Sequence, residues 1–379
     1  MPHAWHNDPV RSRLTIGFVL LALWSIAGVS APQGQTPPPA ASHIDVQKVA
    51  DGVYAAVRTE PPGLFFDANS IFLVNDTDVI VVDTNITPGS ARESLAALRA
   101  ITTKPVTAVI NTHWHDDHII GNQVYRDTFP GVEFIGQSST AQDLPTIGAS
   151  NREQLVRLGP QMVQQLQMSV DQRKSMTGNA LTDEERVSYL SDIASAKRYF
   201  AEAPSIQVVM PTTLVDKALM LKRGRRQIDV LYLGRAHTAA DLVVWLPAER
   251  VAITGDLVVS PIPLVGSTSH PLEFGATLEK LLALKPAVFI PGHGPVMHDD
   301  KYVRLEVALL ASIKSQVEAA VARGETLAQA RKSVNLDELR RQFAGTSQGL
   351  GFIFDNYVSS SGVAAAFRDA TAGKGHAPH

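Results

Sequence analysis

Short apolar runs rich in β-branched residues follow one another in the chain after residue 43. The runs at 53–57, 70–74, 79–83 and 105–112 predict strands, and turn residues separate the second run from the third. An amphipathic pattern at 91–100 predicts a helix, and a short run at 132–135 predicts one more strand. This alternation predicts a mixed sheet with helices packed on it.

A long helical segment interrupts the strand patterns. Residues 151–170 and 183–200 predict two helices joined by a polar link at 177–179, so we interpret 139–203 as a helical insertion. Strand patterns then resume at 206–210, 218–222, 227–233, 241–246, 250–255 and 287–290. Helical patterns occupy 272–284, 302–323 and shorter stretches to about residue 370, which makes 301–379 a helical C-terminal extension.

The N-terminal segment has the features of an export signal. Arg11 and Arg13 precede an apolar run at 14–29, and small residues end it at Ala31, so we interpret 1–31 as a signal peptide. An uncleaved membrane anchor is the alternative, although the run is short for a full membrane span. A Pro-rich linker follows at 32–42. Both interpretations place the folded part outside the cytoplasm, in the periplasm or the medium.

Composition narrows the function classes. Apolar residues make up 45% of the 379 residues, charged residues make up 19%, and the formal net charge is −3, which is ordinary for a soluble globular protein. This mildly acidic balance argues against a nucleic-acid partner. The chain has no cysteine, which excludes disulfides, thiolate metal sites and a cysteine nucleophile.

Three histidines and Asp117 lie within six residues directly after the strand predicted at 105–112. In this His-x-His-x-Asp-His pattern, His113 and His115 point into one hollow, whereas Asp117 and His118 face another way, as neighbours in an extended or turning segment do. Neutral imidazoles suit a borderline-soft divalent cation such as zinc. Two half-sites so close together predict two metal ions, each completed from elsewhere in the chain.

Three more polar residues stand beside a glycine or at the end of an apolar run. His237 follows the run at 227–233, Asp256 closes the run at 250–255, and His293 follows the run at 287–290. Each signal is weak by itself, because a single histidine after a strand is commonly a loop residue. Together with the six-residue cluster they predict a metal site at the strand ends. The insertion at 139–203 either covers this site as a lid or packs beside the core.

With these motifs the chain resembles the metallo-β-lactamase superfamily over roughly residues 45–300. The matching motifs are HxHxDH at 113–118, the histidine of GRAHTAAD, the aspartate of TGD and the histidine of PGHG, with Asp83 in an earlier motif. The resemblance implies an α/β fold, a four-layer αββα sandwich at 43–300 with the site at one edge of two facing sheets. The helical insertion and the C-terminal extension have no counterpart in the minimal domain of that family.

The resemblance also implies the metal ligands. One zinc ion would be held by His113, His115 and His237, and a second would be held by Asp117, His118 and His293. Asp256 would bridge the two ions. We therefore expect two Zn²⁺ ions per chain, although another divalent metal is also possible. Asp83, Asn122, Thr238 and His270 are candidates for contacts to these ligands.

The expected function is that of an exported binuclear zinc hydrolase acting on a small-molecule substrate. Two cations about 3.5–4 Å apart make hydroxide available at neutral pH, and this hydroxide would cleave an ester, lactone, thioester or β-lactam amide. Asp117 is the candidate catalytic residue, since it would orient the nucleophile and accept its proton. We expect no stable membrane association after signal cleavage, and the oligomeric state stays open.

Three alternatives remain beside a general hydrolase. A periplasmic β-lactamase fits the export signal. A metal-dependent oxidoreductase fits the fold, but no flavin-binding segment is evident. A non-catalytic zinc-binding protein fits least well, because all the ligands that the resemblance implies are present.

Overall fold

A computed structural model describes residues 43–372, and a seven-stranded sheet forms one half of the core. Its strands lie in chain order: β1 (Ile44–Ala50), β2 (Val53–Arg58), β3 (Ser70–Val74), β4 (Val79–Val82), β5 (Val106–Ile110), β6 (Glu133–Gln137) and β7 (Thr213–Val215). Strands β1 to β4 pair antiparallel with their neighbours, whereas β4 to β7 pair parallel. The predicted signal peptide and linker lie outside the described residues.

A second sheet has five strands in the order β12, β11, β10, β9, β8. Their bounds are β8 (Ala218–Arg223), β9 (Arg226–Tyr232), β10 (Leu242–Leu246), β11 (Val251–Val259) and β12 (Val288–His293). Neighbouring strands are antiparallel except for β11 and β12, which run parallel.

Helices cover the outer face of each sheet. On the first sheet and its loops lie α1 (Pro88–Ile101), α2 (Asp116–Ile119), α3 (Asn122–Thr128) and α4 (Thr140–Asp143). The insertion begins with α4 and continues with a π-helical turn (Leu144–Gly148), α5 (Ala149–Gln172), α6 (Asp183–Glu202) and a 3₁₀ turn (Ala203–Ser205). The second sheet is covered by α7 (Pro271–Ala283), α8 (Lys301–Ala322), α9 (Leu327–Ser333), α10 (Asp337–Ala344), α11 (Gln348–Phe354), a π-helical segment (Asp355–Gly362) and α12 (Val363–Ala372). Within residues 43–372, none of these helices combines the length and apolar character needed to span a membrane.

The side-chain pattern of β4 shows why four layers form. All four of its residues are buried, and successive side chains of a strand point to opposite faces. Ile80 and Val82 pack in the core between the two sheets, whereas Val79 and Val81 pack beneath α1 and α3. In β10, Val244 lies in the core between the sheets and Trp245 lies under the helices of the second sheet. The central strands of both sheets are thus apolar on both faces, and the predicted αββα sandwich is confirmed.

Most of the predicted strands and helices are present, but two expectations were wrong and one strand was missed. The apolar run at 206–210 forms no strand, and the neighbouring strand is β7 instead. Asp256 lies inside β11, which continues to Val259, rather than at its end. Strand β1 was not predicted, since its exposed side chains carry no apolar run.

The helical insertion packs beside the candidate site. On α5, Arg152 forms a two-pronged ion pair with Asp116, at 2.9 and 2.5 Å. On α6, the carboxylate of Asp192 accepts hydrogen bonds from the backbone N–H groups of Leu64 and Phe65, both at 2.9 Å. The insertion therefore holds the loop between β2 and β3 and the motif after β5 from the outside.

Candidate metal centre

The HxHxDH motif begins three residues after β5 and turns into the one-turn helix α2. His113 is buried, and His115 precedes the helix with extended backbone at φ −66° and ψ 147°. Asp117 and His118 lie in α2 itself, so this pair takes the turning rather than the extended conformation of the two that were predicted. The helical turn still separates the two pairs of side chains, as the two half-sites require.

Three other segments bring the remaining candidates to the same end of the sheets. His237 lies in the connection between β9 and β10, Asp256 lies in β11, and His293 is the last residue of β12. The register of β11 against β12 shifts on both sides of Gly255, whose φ is +51°. This irregularity redirects the side chain of Asp256 toward the histidines.

The structure brings all seven predicted residues together in two groups. His113, His115, His237 and Asp256 form one group, and Asp117, His118, Asp256 and His293 form the other. Within each group the candidate ligand atoms lie within 4.8 Å of one another. Their role as metal ligands stays a prediction, which the following contacts support.

Asp256 faces both groups with different oxygen atoms. Its Oδ2 atom lies 4.0 Å from Nε2 of His113 and 3.5 Å from Nε2 of His237. Its Oδ1 atom lies 3.3 Å from Nε2 of His118 and 3.4 Å from Nε2 of His293. A carboxylate in this position can ligate one cation in each group.

Several polar atoms that face into the centre lack a well-aligned hydrogen-bond partner among the described residues, and a bound cation would supply the missing interaction. Among residues 43–372, Nε2 of His113, His118 and His293 and Oδ1 of Asp256 are buried without a well-aligned hydrogen-bond partner. Buried polar atoms are normally paired, so four unpaired atoms in one place call for a missing partner. The donor set of imidazoles and carboxylates suits zinc and related divalent metals. The residues present therefore fit the metal that the fold implies.

The opposite ring nitrogens of the histidines are held from outside. Nδ1 of His118 lies 2.7 Å from Asp83, Nδ1 of His237 lies 2.9 Å from the carbonyl oxygen of Leu264, and Nδ1 of His293 lies 3.0 Å from the carbonyl oxygen of Asp67. These contacts select the tautomer that leaves Nε2 free to bind a metal.

The ring of His115 is reversed relative to the other histidines, with Nδ1 rather than Nε2 facing the centre. Its Nδ1 atom faces Nε2 of His237 at 2.9 Å, and its Nε2 atom lies 3.2 Å from the hydroxyl of Thr268. The expected ligand atom of His115 is therefore Nδ1. Sequence reasoning missed Thr268, which lies 153 positions away from His115 and carries no motif.

The four other candidate contacts have different outcomes. Asp83 contacts His118, as expected. Asn122 hydrogen bonds with Thr84 and Asn111 behind the motif, and Thr238 hydrogen bonds with Asp241. His270 lies 3.8 Å from Asp369, away from the two groups.

Burial and charge divide the histidines into two kinds. Burial, followed by neighbouring histidines, lowers the pKa of His113 well below its usual value and that of His115 to about 3. Burial also opposes protonation of His118 and His293, but the carboxylates around them outweigh it. The pKa of His118 is therefore raised well above its usual value, and that of His293 is raised to about 9. The second group thus attracts positive charge, which a divalent cation also supplies.

Two glycines allow the backbone to approach the centre closely. A Cβ atom on Gly292 would lie 2.0 Å from Oδ1 of Asp256, and one on Gly255 would lie 2.4 Å from Oγ1 of Thr112. Contacts this short do not occur between real atoms, so a side chain at either position would have to displace its neighbour. The TGD and PGHG motifs therefore combine a candidate ligand with the glycine that makes room for it.

A cavity of about 390 Å³ adjoins the centre at His293. Its walls come from the ends of β1 and β2, the loop between β2 and β3, the segment after β11, and the C-terminal extension. None of its lining residues belongs to the 139–203 insertion.

The fold and the paired donor groups at the sheet ends define a metallo-β-lactamase type of protein. Residues 63–293, more than half of the chain, match the family model of the metallo-beta-lactamase superfamily, and the chain belongs to that superfamily. It is similar to a linear primary-alkylsulfatase of Pseudomonas sp. (strain ATCC 19151), with 26% identity over 234 residues. That alignment covers 59% of this chain and 41% of the sulfatase, so the chain spans less than half the length of this relative.

One solved structure shows the same fold at lower identity. The stereoselective inverting sec-alkylsulfatase Pisa1 from Pseudomonas sp. superposes with a TM-score of 0.58 at 15% identity, covering 89% of this chain and 52% of that one. A metallo-beta-lactamase from Pontibacter korlensis superposes with a TM-score of 0.47 at 16% identity, covering 71% of this chain and 99% of that one.

Proposed function

We propose that the protein is an exported hydrolase that depends on two divalent cations, with zinc as the first candidate. The observation that best supports this proposal is the position of Asp256, whose two oxygen atoms face two separate groups of buried ligand atoms. Family membership supports hydrolysis as the reaction. The N-terminal pattern of arginines, apolar residues and small residues supports export to the periplasm or the medium.

The candidate ligands are assigned to two cations. His113, His115 and His237 would hold one cation, Asp117, His118 and His293 would hold the other, and Asp256 would contact both. Bound divalent cations supply Lewis acidity and lower the pKa of a water molecule enough for attack at neutral pH.

Asp117 is the proposed catalytic residue. Its side chain is 15% exposed, whereas that of Asp256 is 2% exposed, so Asp117 is the more accessible carboxylate of the centre. Burial raises its pKa, but His118 and His293 outweigh burial and hold the pKa well below its usual value. The ionised carboxylate would accept a hydrogen bond from the attacking water and then its proton.

The bond that is cleaved belongs to the ester, lactone, thioester or amide class, with the β-lactam as one amide. A sulfate ester is the second candidate, because the alkylsulfatase relative matches 59% of this chain.

The test is a substrate panel with the purified protein, run with added zinc, then with a chelator, then with zinc restored. The panel holds a 4-nitrophenyl acyl ester, a 4-nitrophenyl sulfate, a lactone, a thioester and a chromogenic cephalosporin. We expect turnover of at least one compound, its loss with chelator, and its return with zinc. Turnover that persists in chelator, or no turnover by protein holding about two metal ions per chain, would contradict the proposal.

Two variants connect turnover to the residues. His115→Ala and Asp117→Asn should each lower turnover at least 100-fold or reduce the bound metal, because each removes a ligand atom. His298→Ala is the matched control, since His298 is exposed and belongs to neither group. Full activity of either ligand variant would exclude the two-cation mechanism.

A further inference from the structure

The cavity beside His293 is bounded mainly by apolar side chains. They include Phe66, Pro261, Ile262, Leu264, Ile353 and Tyr357. The ring of Phe66 packs edge-on against the imidazole of His293, with 4.7 Å between the ring centroids. A ligand in this cavity would therefore lie directly against one of the candidate metal ligands. The volume of about 390 Å³ falls within the range of small-molecule sites.

Away from the centre, the wall offers no unpaired lysine or arginine side chain to a ligand. Arg58 is the one lysine or arginine among the lining residues, and its side chain is 6% exposed. It is paired with Glu60, and it lies 3.7 Å from Asp67 and 3.8 Å from Glu93. Because three carboxylates surround this one guanidinium, Arg58 would attract an anionic group only weakly, so the part of the cavity away from the centre favours an uncharged group.

The C-terminal extension supplies one side of the cavity. Ile353 lies at the end of α11, and Tyr357 lies in the π-helical segment that follows it. Segments of π-helix within α-helices occur frequently at functional sites. The hydroxyl of Tyr357 makes no hydrogen bond to any residue in 43–372. Burial, with smaller effects of Asp192 and Asp117, raises the pKa of Tyr357, so its phenol presents a neutral surface.

We propose that the C-terminal extension completes the substrate pocket, and that this pocket receives an uncharged apolar alkyl or acyl group of the substrate. Ile353 and Tyr357 are the specificity-determining residues. The reaction at the adjoining centre rests on the proposed function, whereas binding of the apolar group does not.

The length of the substrate's acyl chain provides the first test. In a series of 4-nitrophenyl esters from acetate to octanoate, each buried CH₂ group should raise kcat/KM about threefold to fourfold until the cavity is filled. If kcat/KM is flat or falls along the series, the pocket does not bind the acyl chain.

Variants of the extension provide the second test. Ile353→Phe, which fills the cavity, and Tyr357→Ala, which removes one wall, should each lower the octanoate-to-acetate ratio of kcat/KM at least tenfold. Asn356→Ala is the matched control, because Asn356 is exposed in the same segment and does not line the cavity. An unchanged ratio in both folded variants, checked by circular dichroism, would show that the extension does not determine specificity.

A binding measurement tests the pocket without turnover. Calorimetry with the metal-loaded protein compares octanamide with its matched anionic analogue, 7-carboxyheptanamide. We expect octanamide to bind at least tenfold more tightly, and Tyr357→Ala to weaken its binding. Equal affinity, or no binding of octanamide, would overturn the proposal.

The two proposals fail in different ways. Binding of octanamide without turnover of any panel compound would retain the pocket and exclude the hydrolase. Chelator-sensitive turnover of the acetate ester, with neither chain-length dependence nor octanamide binding, would retain the hydrolase and exclude the pocket.

Discussion

Nδ1 of His118 lies 2.7 Å from the carboxylate of Asp83, two side chains that are 35 positions apart in the chain. Asp83 directly follows β4 with φ at +59°, a left-handed conformation that few side chains other than Asn and Asp adopt readily. Its carboxylate also accepts hydrogen bonds from the backbone N–H and the hydroxyl of Thr112, at 2.8 and 2.7 Å. Asp83 thus joins the end of β4 to the metal-binding motif and fixes the ring of His118.

Asp83→Asn should weaken metal binding without unfolding the protein. Asparagine tolerates the left-handed backbone, but it removes the negative charge that orients and strengthens His118 as a ligand. We expect a 10-fold to 100-fold loss of zinc affinity, measured by competition with a chromophoric chelator. Asp51→Asn, which changes an exposed carboxylate, is the control. Equal affinities of the wild type and Asp83→Asn would exclude this role.

Gly292→Ala should displace the carboxylate that faces both groups. The added Cβ atom would lie 2.0 Å from Oδ1 of Asp256, so the side chain or the strand must move. We expect fewer than two zinc ions per chain by mass spectrometry of the metal content, together with lower turnover. Gly266→Ala is the matched control, because a Cβ atom there meets no heavy atom within 4 Å. A Gly292→Ala protein with its full metal content would show that the added methyl group does not displace Asp256.

Thr268 is expected to position His115. Arg368 on α12 donates to the carbonyl oxygens of Ser267 and Ser269, at 2.5 and 2.6 Å, and so holds the loop that carries Thr268. Thr268→Val removes the hydroxyl beside Nε2 of His115, so we expect about a tenfold loss of zinc affinity.

Thr268→Ser distinguishes positioning from packing, since serine keeps the hydroxyl and loses the methyl group. Rescue by serine would support the hydrogen bond to His115. Equal losses in both variants, measured with cobalt absorption spectra as well as zinc affinity, would assign Thr268 a packing role only.

Asp192 should make stability depend on pH. Burial raises its pKa from 3.8 to about 6, so the folded protein binds this proton more tightly than the unfolded chain does. Its contribution to the free energy of unfolding is therefore largest below about pH 4, and it falls as the pH rises to about 6. This difference corresponds to about 3 kcal/mol.

Asp192→Asn removes that titration. Relative to the wild type, the variant should gain about 3 kcal/mol between pH 4 and pH 7, measured by urea unfolding at each pH under the same metal conditions. Asp171→Asn, an exposed position in the same insertion, should show no such change. Parallel stability curves for the wild type and Asp192→Asn would contradict the raised pKa.

The sequence by itself determined a mixed sheet with helices and seven candidate ligands, and the resemblance carried by its motifs implied the αββα sandwich. Strands such as β4 and β10 are apolar on both faces, and this pattern of burial is visible without knowing the neighbours. The HxHxDH motif is local, and each of the other candidate ligands lies within a few residues of a glycine at the end of an apolar run. Local patterns of this kind can be read from the sequence, because the nearby backbone determines where the side chains point.

Strand pairing was less predictable at the edges of the first sheet. The run at 206–210 is apolar because Val208 packs near Trp114 and Val209 packs near the outer helices, yet it pairs with no strand. Strand β1 alternates apolar and polar residues only loosely and has no fully buried residue, but its backbone pairs with β2 over six register positions. A pattern of apolar residues indicates which side chains are buried. Strand formation also requires a backbone partner, which is distant in the chain.

Only the tertiary structure decided which residues support and surround the centre. Thr268 reaches His115 across 153 positions, and Tyr357 joins Phe66 in one cavity from the opposite end of the chain. No local pattern marks such residues, since their neighbours in sequence are ordinary loop or helix residues. Their roles arise from the packing of the helical extension onto the second sheet, which is determined by the whole core rather than by any one segment.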